Sequence, residues 1–429
     1  LDIPLTFFVC LATWAGYRYF AGDCERKGWI YLLYVSSGLA FLTKGLIGIV
    51  FPFAITILWL LISMRWRDVL KLISPVGIIL FLLISCPWII LVQRANKDFL
   101  WFFFMQEHFL RYATRESHRS HGIFFFVPVV ILGTLPWSAF LWKVLREGAE
   151  QRVSFFKTTE RHFLLVWIFF IFVFFSISKS KLVPYVAPMF LPIAIFFGHL
   201  FRSYEDRIII PKEGRVRRLL YNLPIILQPL IFAALIILPL LIRNAKLDKY
   251  LESYHVEKWW WLLMLPILFQ VMMTFLPAVV RQRWRRGWFL TMTVLCALFL
   301  ISIHFPVAHF LTPYRSAYPL SKAIHEFLPP NQELFQYRMS LYGIDFYNKI
   351  RTPRVEACGE LEYGFIHLQP GERSHYYLSS EMFRQRSKEN GTTYCVTKRR
   401  ENVEELRRRT STLKVLWDNG EFYLLRLRF

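Results

Sequence analysis

The 429-residue sequence has no internal repeat, no low-complexity tract and no P-loop-like phosphate fingerprint. Without a P-loop, a familiar sign of direct nucleotide binding is missing. Without a repeat, the usual sequence pointer to an alternating-access transporter is missing too. Acidic residues are scarce, with 30 Asp and Glu against 52 Lys and Arg. Cysteines number six. Cys10, Cys86 and Cys296 fall inside apolar runs and read as small core residues, and Cys24 lies in a short basic loop. Cys358 and Cys395 share the polar C-terminal region, where a disulfide between them is possible if that region is extracytoplasmic. There is no initiating Met and no charged segment ahead of an apolar core. Leu1 therefore reads as an internal position of a longer chain.

Apolar residues are abundant. They make up 55% of the chain, and 42 residues are Phe. That composition defines a membrane protein before any motif is considered. Apolar runs at about 3–21, 29–43, 46–63, 72–93, 122–142, 163–178, 183–201, 219–242, 259–280 and 288–312 predict ten spans, some short enough to be tilted or paired. In such a chain the net charge of +22 belongs to loop anchors that set orientation, and nucleic acid is excluded as a partner.

Basic residues concentrate in alternate loops: Arg26-Lys27, Arg65 to Lys71, Lys143 to Arg161, Arg207 to Arg218 and Arg281 to Arg286. The positive-inside rule assigns these to the cytoplasm. Asp2, Thr43-Lys44-Gly45, the loop 94–121, Lys179-Ser180-Lys181 and everything after about 313 then share the opposite side. The division predicted is a transmembrane domain over 1–312 and an extracytoplasmic α/β domain over 313–429. In the latter, strand-like 333–337, 393–397, 413–417 and 422–427 alternate with helix-like 318–328, 379–388 and 401–409. Asp418-Asn419-Gly420 predicts a type I′ hairpin turn.

The polar residues that interrupt apolar sequence gather on that same side. At a bilayer centre Lys179 and Lys181 would each cost roughly 2.5–3.5 kcal/mol, so they are expected at the surface, in a reversal between two spans. Lys44 sits between two runs, with Gly45 and Gly48 permitting a tight turn. Phe99–Met105 suits an interfacial helix delivering Glu107, His108 and Arg111 to the surface. For Lys44 a snorkelling anchor, and for 94–121 a solvated juxtamembrane loop, are the plainer alternatives. Taken together, the charge balance favours an anionic, amphipathic ligand held by charge-assisted bonds.

These residues resemble a known family. Leu1-Asp2-Ile3-Pro4-Leu5-Thr6-Phe7-Phe8, Gly38-Leu-Ala-Phe-Leu-Thr-Lys-Gly45 with Pro52, Glu107-His-Phe-Leu-Arg-Tyr112, Leu135-Pro136-Trp137 and Phe174-Phe-Ser-Ile-Ser-Lys-Ser-Lys-Leu-Val-Pro-Tyr185 occur in the order found in GT-C polyprenyl-phosphate-dependent glycosyltransferases. The nearest likeness is to the lipid A aminoarabinose transferases, relatives of protein O-mannosyltransferases. It covers about residues 1–192, and the rest matches in layout only. The resemblance implies a polytopic α-helical GT-C-like fold with a C-terminal extracytoplasmic α/β domain, in the bacterial inner membrane. It implies a sugar donor on undecaprenyl phosphate or a related carrier, and lipid A, another envelope glycan or a protein as acceptor. Lys44, Arg111, Lys179 and Lys181 would hold the donor phosphate and Tyr185 would add a hydroxyl. Asp2 would be the acidic catalytic position. An Asp-Glu pair of the family's first extracytoplasmic loop would fall before Leu1. A divalent metal is a further candidate ligand, with Glu107 and His108 as its side chains. The rival class is a polytopic transporter or flippase of anionic lipid.

Overall fold

The computed structural model describes residues 2–22, 24–110, 122–135, 137, 159–205, 260–283, 287–357, 359, 364–365 and 368–429, with some side chains within these ranges, those of 107–110 and 199–205 among them, outside the description. The chain divides into two compact units, 1–231 and 232–429.

In the first unit α1 (Asp2–Ala21), α2 (Gly28–Lys44), α3 (Ile47–Ile62) and α4 (Pro75–Ala95) follow the apolar runs within a few residues. They are joined by α5 (Phe126–Gly133), α6 (Thr159–Ile177) and α7 (Phe190–Glu205). Pro75–Ala95 and Thr159–Ile177 are long and apolar enough to cross a bilayer. The predicted spans at 72–93 and 183–201 each begin with an irregular turn. Trp66–Leu72 and Val183–Met189 are 3₁₀ helices, and α4 and α7 start only after them. Pro184 and Pro188 lack the N–H that an α-helix interior needs, which accounts for the second case. The predicted span 219–242 lies outside the described residues.

Lipid offers helices little hydrophobic drive to associate, so close packing must hold them together. At one end of the unit Tyr17, Trp59 and Phe163 meet with ring centroids 4.7–5.4 Å apart. At the other, Phe51 sits 5.1 Å from Phe174 and 5.5 Å from Phe175. Such ring pairs each contribute about 0.5–1.5 kcal/mol beyond their buried area.

The α2–α3 reversal depends on two glycines. Gly45 caps α2 at φ 78° and donates its N–H to Phe41 O at 2.7 Å. Gly48 lies so close to α2 that an added Cβ would fall 2.5 Å from Ala40 C and Phe41 N. Both atoms are backbone and cannot rotate away. Gly48→Ala is therefore expected to lower stability by about 1–3 kcal/mol, read as a fall in the thermal unfolding midpoint in detergent. Gly28→Ala, where a Cβ meets nothing within 4 Å, is the matched control and should change little.

The second unit contains α8 (Met264–Arg283) and α9 (Gly287–Arg315), whose 21-residue stretch Phe289–His309 is also long and apolar enough to span. Beyond it, α10 (Ala317–Phe327), α11 (Tyr342–Asn348), α12 (Pro370–Tyr376), α13 (Ser380–Glu389) and α14 (Arg400–Arg409) surround a six-stranded sheet. Its strands are β1 (Leu334–Tyr337), β2 (Arg354–Val355), β3 (Tyr377–Leu378), β4 (Thr393–Thr397), β5 (Thr412–Asp418) and β6 (Tyr423–Arg428), in the order β3-β2-β1-β4-β6-β5. The first four are parallel, and β6 and β5 close the sheet antiparallel. Alternation builds a core on each face: Tyr394, Val396 and Leu424 join α10 and α11 on one, while Cys395, Leu425 and Leu427 join α13 and α14 on the other.

Two local expectations change. Cys395 is a free thiol, fully buried in that second core and pushed to higher pKa by desolvation, so it is a packing residue and forms no disulfide. Its supposed partner Cys358 lies outside the described residues. The β5–β6 connection is a four-residue loop, since Asp418 pairs with Tyr423. Gly420 has φ 82° but Asn419 is not left-handed, whereas a type I′ turn needs both. Instead the Asn419 side-chain oxygen accepts the backbone N–H groups of Glu421 (3.1 Å) and Phe422 (2.8 Å).

Candidate donor site at one end of the helical unit

Three residues far apart in sequence converge where α1 starts, α2 ends and the 183–189 turn begins. Asp2 occupies the first turn of α1, where a carboxylate suits the positive end of the helix dipole. Lys44 occupies the last turn of α2, where a cation suits the negative end. Their side chains form an ion pair, and the same ammonium lies 4.8 Å from the centroid of the Tyr185 ring. Lys44 and Asp2 keep 28% and 36% of their side-chain exposure, so the pair remains open to a ligand. Tyr185 is held in turn by Phe175, 5.1 Å away, and its backbone N–H bonds to Leu182 O at 3.1 Å. Cys10 of α1 bonds through its thiol to Pro188 O at 3.6 Å and fastens the turn to α1.

The two lysines of the reversal occupy different surroundings. Lys179 is exposed. Lys181 is only 3% exposed and its ammonium donates to Ser178 O. Burial lowers its pKa by desolvation. Two hydroxyls that sequence reasoning did not single out lie beside them. Ser176 Oγ and Ser180 Oγ are buried and have no hydrogen-bond partner among the described residues. The signal for them was present, as Ser176 interrupts the apolar run 163–178 and Ser180 stands between the two lysines.

Glu107 and His108 lie on a π-helical segment, Phe102–Leu110, that continues the turn Phe99–Trp101. Their side chains, and Arg111 altogether, lie outside the described residues. The segment is docked by aromatic contacts: Phe103 is 5.8 Å from Phe41, one turn before Lys44, and 6.3 Å from Trp88. This leads it towards the Lys44 end. Among the described residues no group of three or more His, Cys, Asp or Glu side chains is placed to hold a metal ion. An apolar groove of about 600 Å³ runs between α3 and α6, lined by Leu58, Ile62, Phe169, Val173 and Ile177. It reaches Ile177, two residues before Lys179.

The helical unit and the C-terminal α/β sheet define the fold of a polytopic helical membrane protein that carries an α/β domain. The family model described as dolichyl-phosphate-mannose-protein mannosyltransferase matches residues 1–91. The chain is 33% identical over 204 residues to the undecaprenyl phosphate-alpha-4-amino-4-deoxy-L-arabinose arabinosyl transferase of Pseudomonas aeruginosa strain UCBPP-PA14, which covers 46% of this chain and 36% of that protein. It is 34% identical over 211 residues to arabinosyl transferase 1 of Proteus mirabilis strain HI4320, covering 48% of this chain and 37% of the relative. The matches thus span little more than a third of the length of these curated relatives. Among solved structures, ArnT from Cupriavidus metallidurans bound to undecaprenyl phosphate superposes with a TM-score of 0.77 at 22% identity, over 99% of this chain and 74% of that one. Its apo state gives 0.73 at 23% identity, over 98% and 72%.

Proposed function

We propose that this chain is the donor-binding part of a glycosyltransferase that moves a sugar from undecaprenyl phosphate, or a related polyprenyl phosphate, to lipid A or another envelope acceptor. The reaction would take place at the periplasmic face of the bacterial inner membrane. The observation that carries this reading is the meeting of Asp2, Lys44 and Tyr185 at the bundle end from which Lys179 is exposed.

The chemistry follows from those groups. The acceptor oxygen attacks the anomeric carbon as the bond from that carbon to the phosphate oxygen breaks, with inversion. Negative charge moves onto the departing phosphate. Lys44, with Lys179, Lys181 and Arg111, stabilises that charge where it develops, and the Tyr185 hydroxyl adds a donor. Asp2 holds the Lys44 ammonium in place until phosphate competes for it. The prenyl chain lies in the apolar groove that reaches Ile177. Glu107 and His108 remain the side chains proposed for a divalent metal near this face.

The test is mass spectrometry of envelope lipids and proteins from cells that carry or lack the intact gene, repeated with Lys179→Ala, Lys181→Ala and the double variant. Loss of the sugar adduct with the protein still folded is expected. Unimpaired transfer in all three would sink the phosphate clamp. Adducts on protein instead of lipid would favour protein O-glycosylation, the reading that the mannosyltransferase model match supports. A transporter would move lipid without changing its covalent structure.

A further inference from the structure

The C-terminal α/β domain is fixed to the end of a membrane-spanning helix. The apolar stretch Phe289–His309 of α9 has 21 residues, about 31 Å at 1.5 Å per residue, which matches a hydrocarbon core of about 30 Å. The helix continues to Arg315, and Ser316 then breaks it, with its hydroxyl capping the Tyr318 N–H at 3.1 Å. Two contacts tie the domain back to this junction. The Asn419 side-chain amide donates to Pro313 O at 2.9 Å, and Arg315 lies 3.6 Å from Glu421. Asn419 and Glu421 belong to the β5–β6 loop, so the sheet itself is anchored at the point where the chain leaves the span.

The exposed aromatic residues of the domain sit beside that point. Among the described residues after Ser316, the large hydrophobic side chains left exposed are Tyr318, Tyr342, Phe346, Tyr347 and Met382. All but Met382 lie on α10 and α11. Tyr318 is two residues past the cap, its ring is 5.4 Å from Tyr347, and Tyr347 is 5.2 Å from Phe346. Phe346 keeps 76% of its exposure, a large cost for a phenyl ring facing water. Exposed lysines border the patch. The Lys322 ammonium lies 4.8 Å over the Tyr318 ring, and Lys349 follows α11.

Rings bordered by lysines, next to the end of a span, have the chemistry of the bilayer interface. There tyrosines sit at headgroup level and ammonium groups meet lipid phosphates. We propose that the α10–α11 face rests in the headgroup layer of the bilayer that α9 crosses, with Phe346 inserted toward the acyl boundary and Lys322 and Lys349 on the phosphates of anionic phospholipid. The domain is then held at the membrane by two attachments, the α9 junction and this face. This inference stands independently of the sugar-transfer reading.

Site-directed photo-crosslinking tests it in the full chain. Phe346→p-benzoylphenylalanine and, as control, Met382→p-benzoylphenylalanine are reconstituted in nanodiscs of phosphatidylethanolamine and phosphatidylglycerol, irradiated and analysed by mass spectrometry. Both positions are exposed, so folding is not at issue. Lipid adducts are expected at 346 in about tenfold excess over 382, as interfacial residence requires. Lys322→Gln with Lys349→Gln should lower the phosphatidylglycerol share of those adducts. Equal lipid labelling at the two positions overturns the proposal. So does labelling at 346 that is dominated by added glycan or by a second protein.

Discussion

If the chain acts as proposed, Lys44→Met should reduce sugar transfer by about 10²–10³-fold, the loss seen when a single charge-stabilising donor is removed from a developing anion. The fall should appear mainly in kcat, because in the proposed reaction the phosphate carries more negative charge once the anomeric bond breaks than in the bound donor. Stability changes little, since the Asp2–Lys44 pair is partly exposed and such pairs contribute about 0–1 kcal/mol. Lys44→Arg restores only part of the rate. The ammonium is a compact charge seated over the Tyr185 ring, whereas a guanidinium is a planar fork that requires different partners. Tyr185→Phe separates the two contributions of that residue. It keeps the ring beneath Lys44 and removes the hydroxyl, so its loss should be smaller than that of Lys44→Met. Steady-state kinetics with a polyprenyl-phosphate sugar donor and lipid A reads all three variants. If Lys44→Met keeps more than about a third of the parent kcat, Lys44 contributes nothing of the size expected of an oxyanion donor.

The convergence of Asp2, Lys44 and Tyr185 was partly legible in the sequence, because alternation of basic loops placed all three on one side of the membrane. Their contact was not. Asp2 and Lys44 are 42 residues apart, and loop charge carries no information about which helix ends touch. The difference between Lys179 and Lys181 was equally hidden. Both belong to one short reversal, and the conformation of that reversal directs one ammonium to the surface and the other onto Ser178 O. In the α/β domain the longer strands β1, β4, β5 and β6 and the helices α10, α13 and α14 were readable from periodicity. Strands β2 and β3 were not, because two residues each cannot display a period of two. The Asn-Gly turn misled because the Asn419 side chain satisfies two backbone N–H groups, which stabilises a longer loop than the dipeptide usually forms.

Arg354→Leu should destabilise the α/β domain by about 3 kcal/mol, the low end of the cost of breaking a buried ion pair, because Asp345 keeps part of its exposure. Arg354 opens β2 and is nearly buried. It bonds to Asp345 Oδ2 at 2.7 Å, Ser340 Oγ at 2.9 Å and Thr352 O at 3.3 Å, and its guanidinium lies 5.4 Å from the centroid of the Tyr342 ring. Asp345 also accepts the Thr352 N–H at 3.0 Å and the Thr352 hydroxyl, while that hydroxyl accepts from Gln336 of β1. One arginine thus joins α11, the approach to β2 and the centre of the sheet. Its removal leaves a part-buried carboxylate without its cation and several acceptors without a donor. Hydrogen exchange in the full chain should show β1 and β2 amides opening faster while α1–α4 keep their protection, because the lost contacts lie within the second unit. Arg354→Leu combined with Asp345→Leu should recover part of the loss, since an apolar pair avoids the uncompensated charge. If the single variant exchanges like the parent, the network is dispensable. If the double variant is worse than the single, the hydrogen bonds from Asp345 to Thr352 outweigh the ion pair.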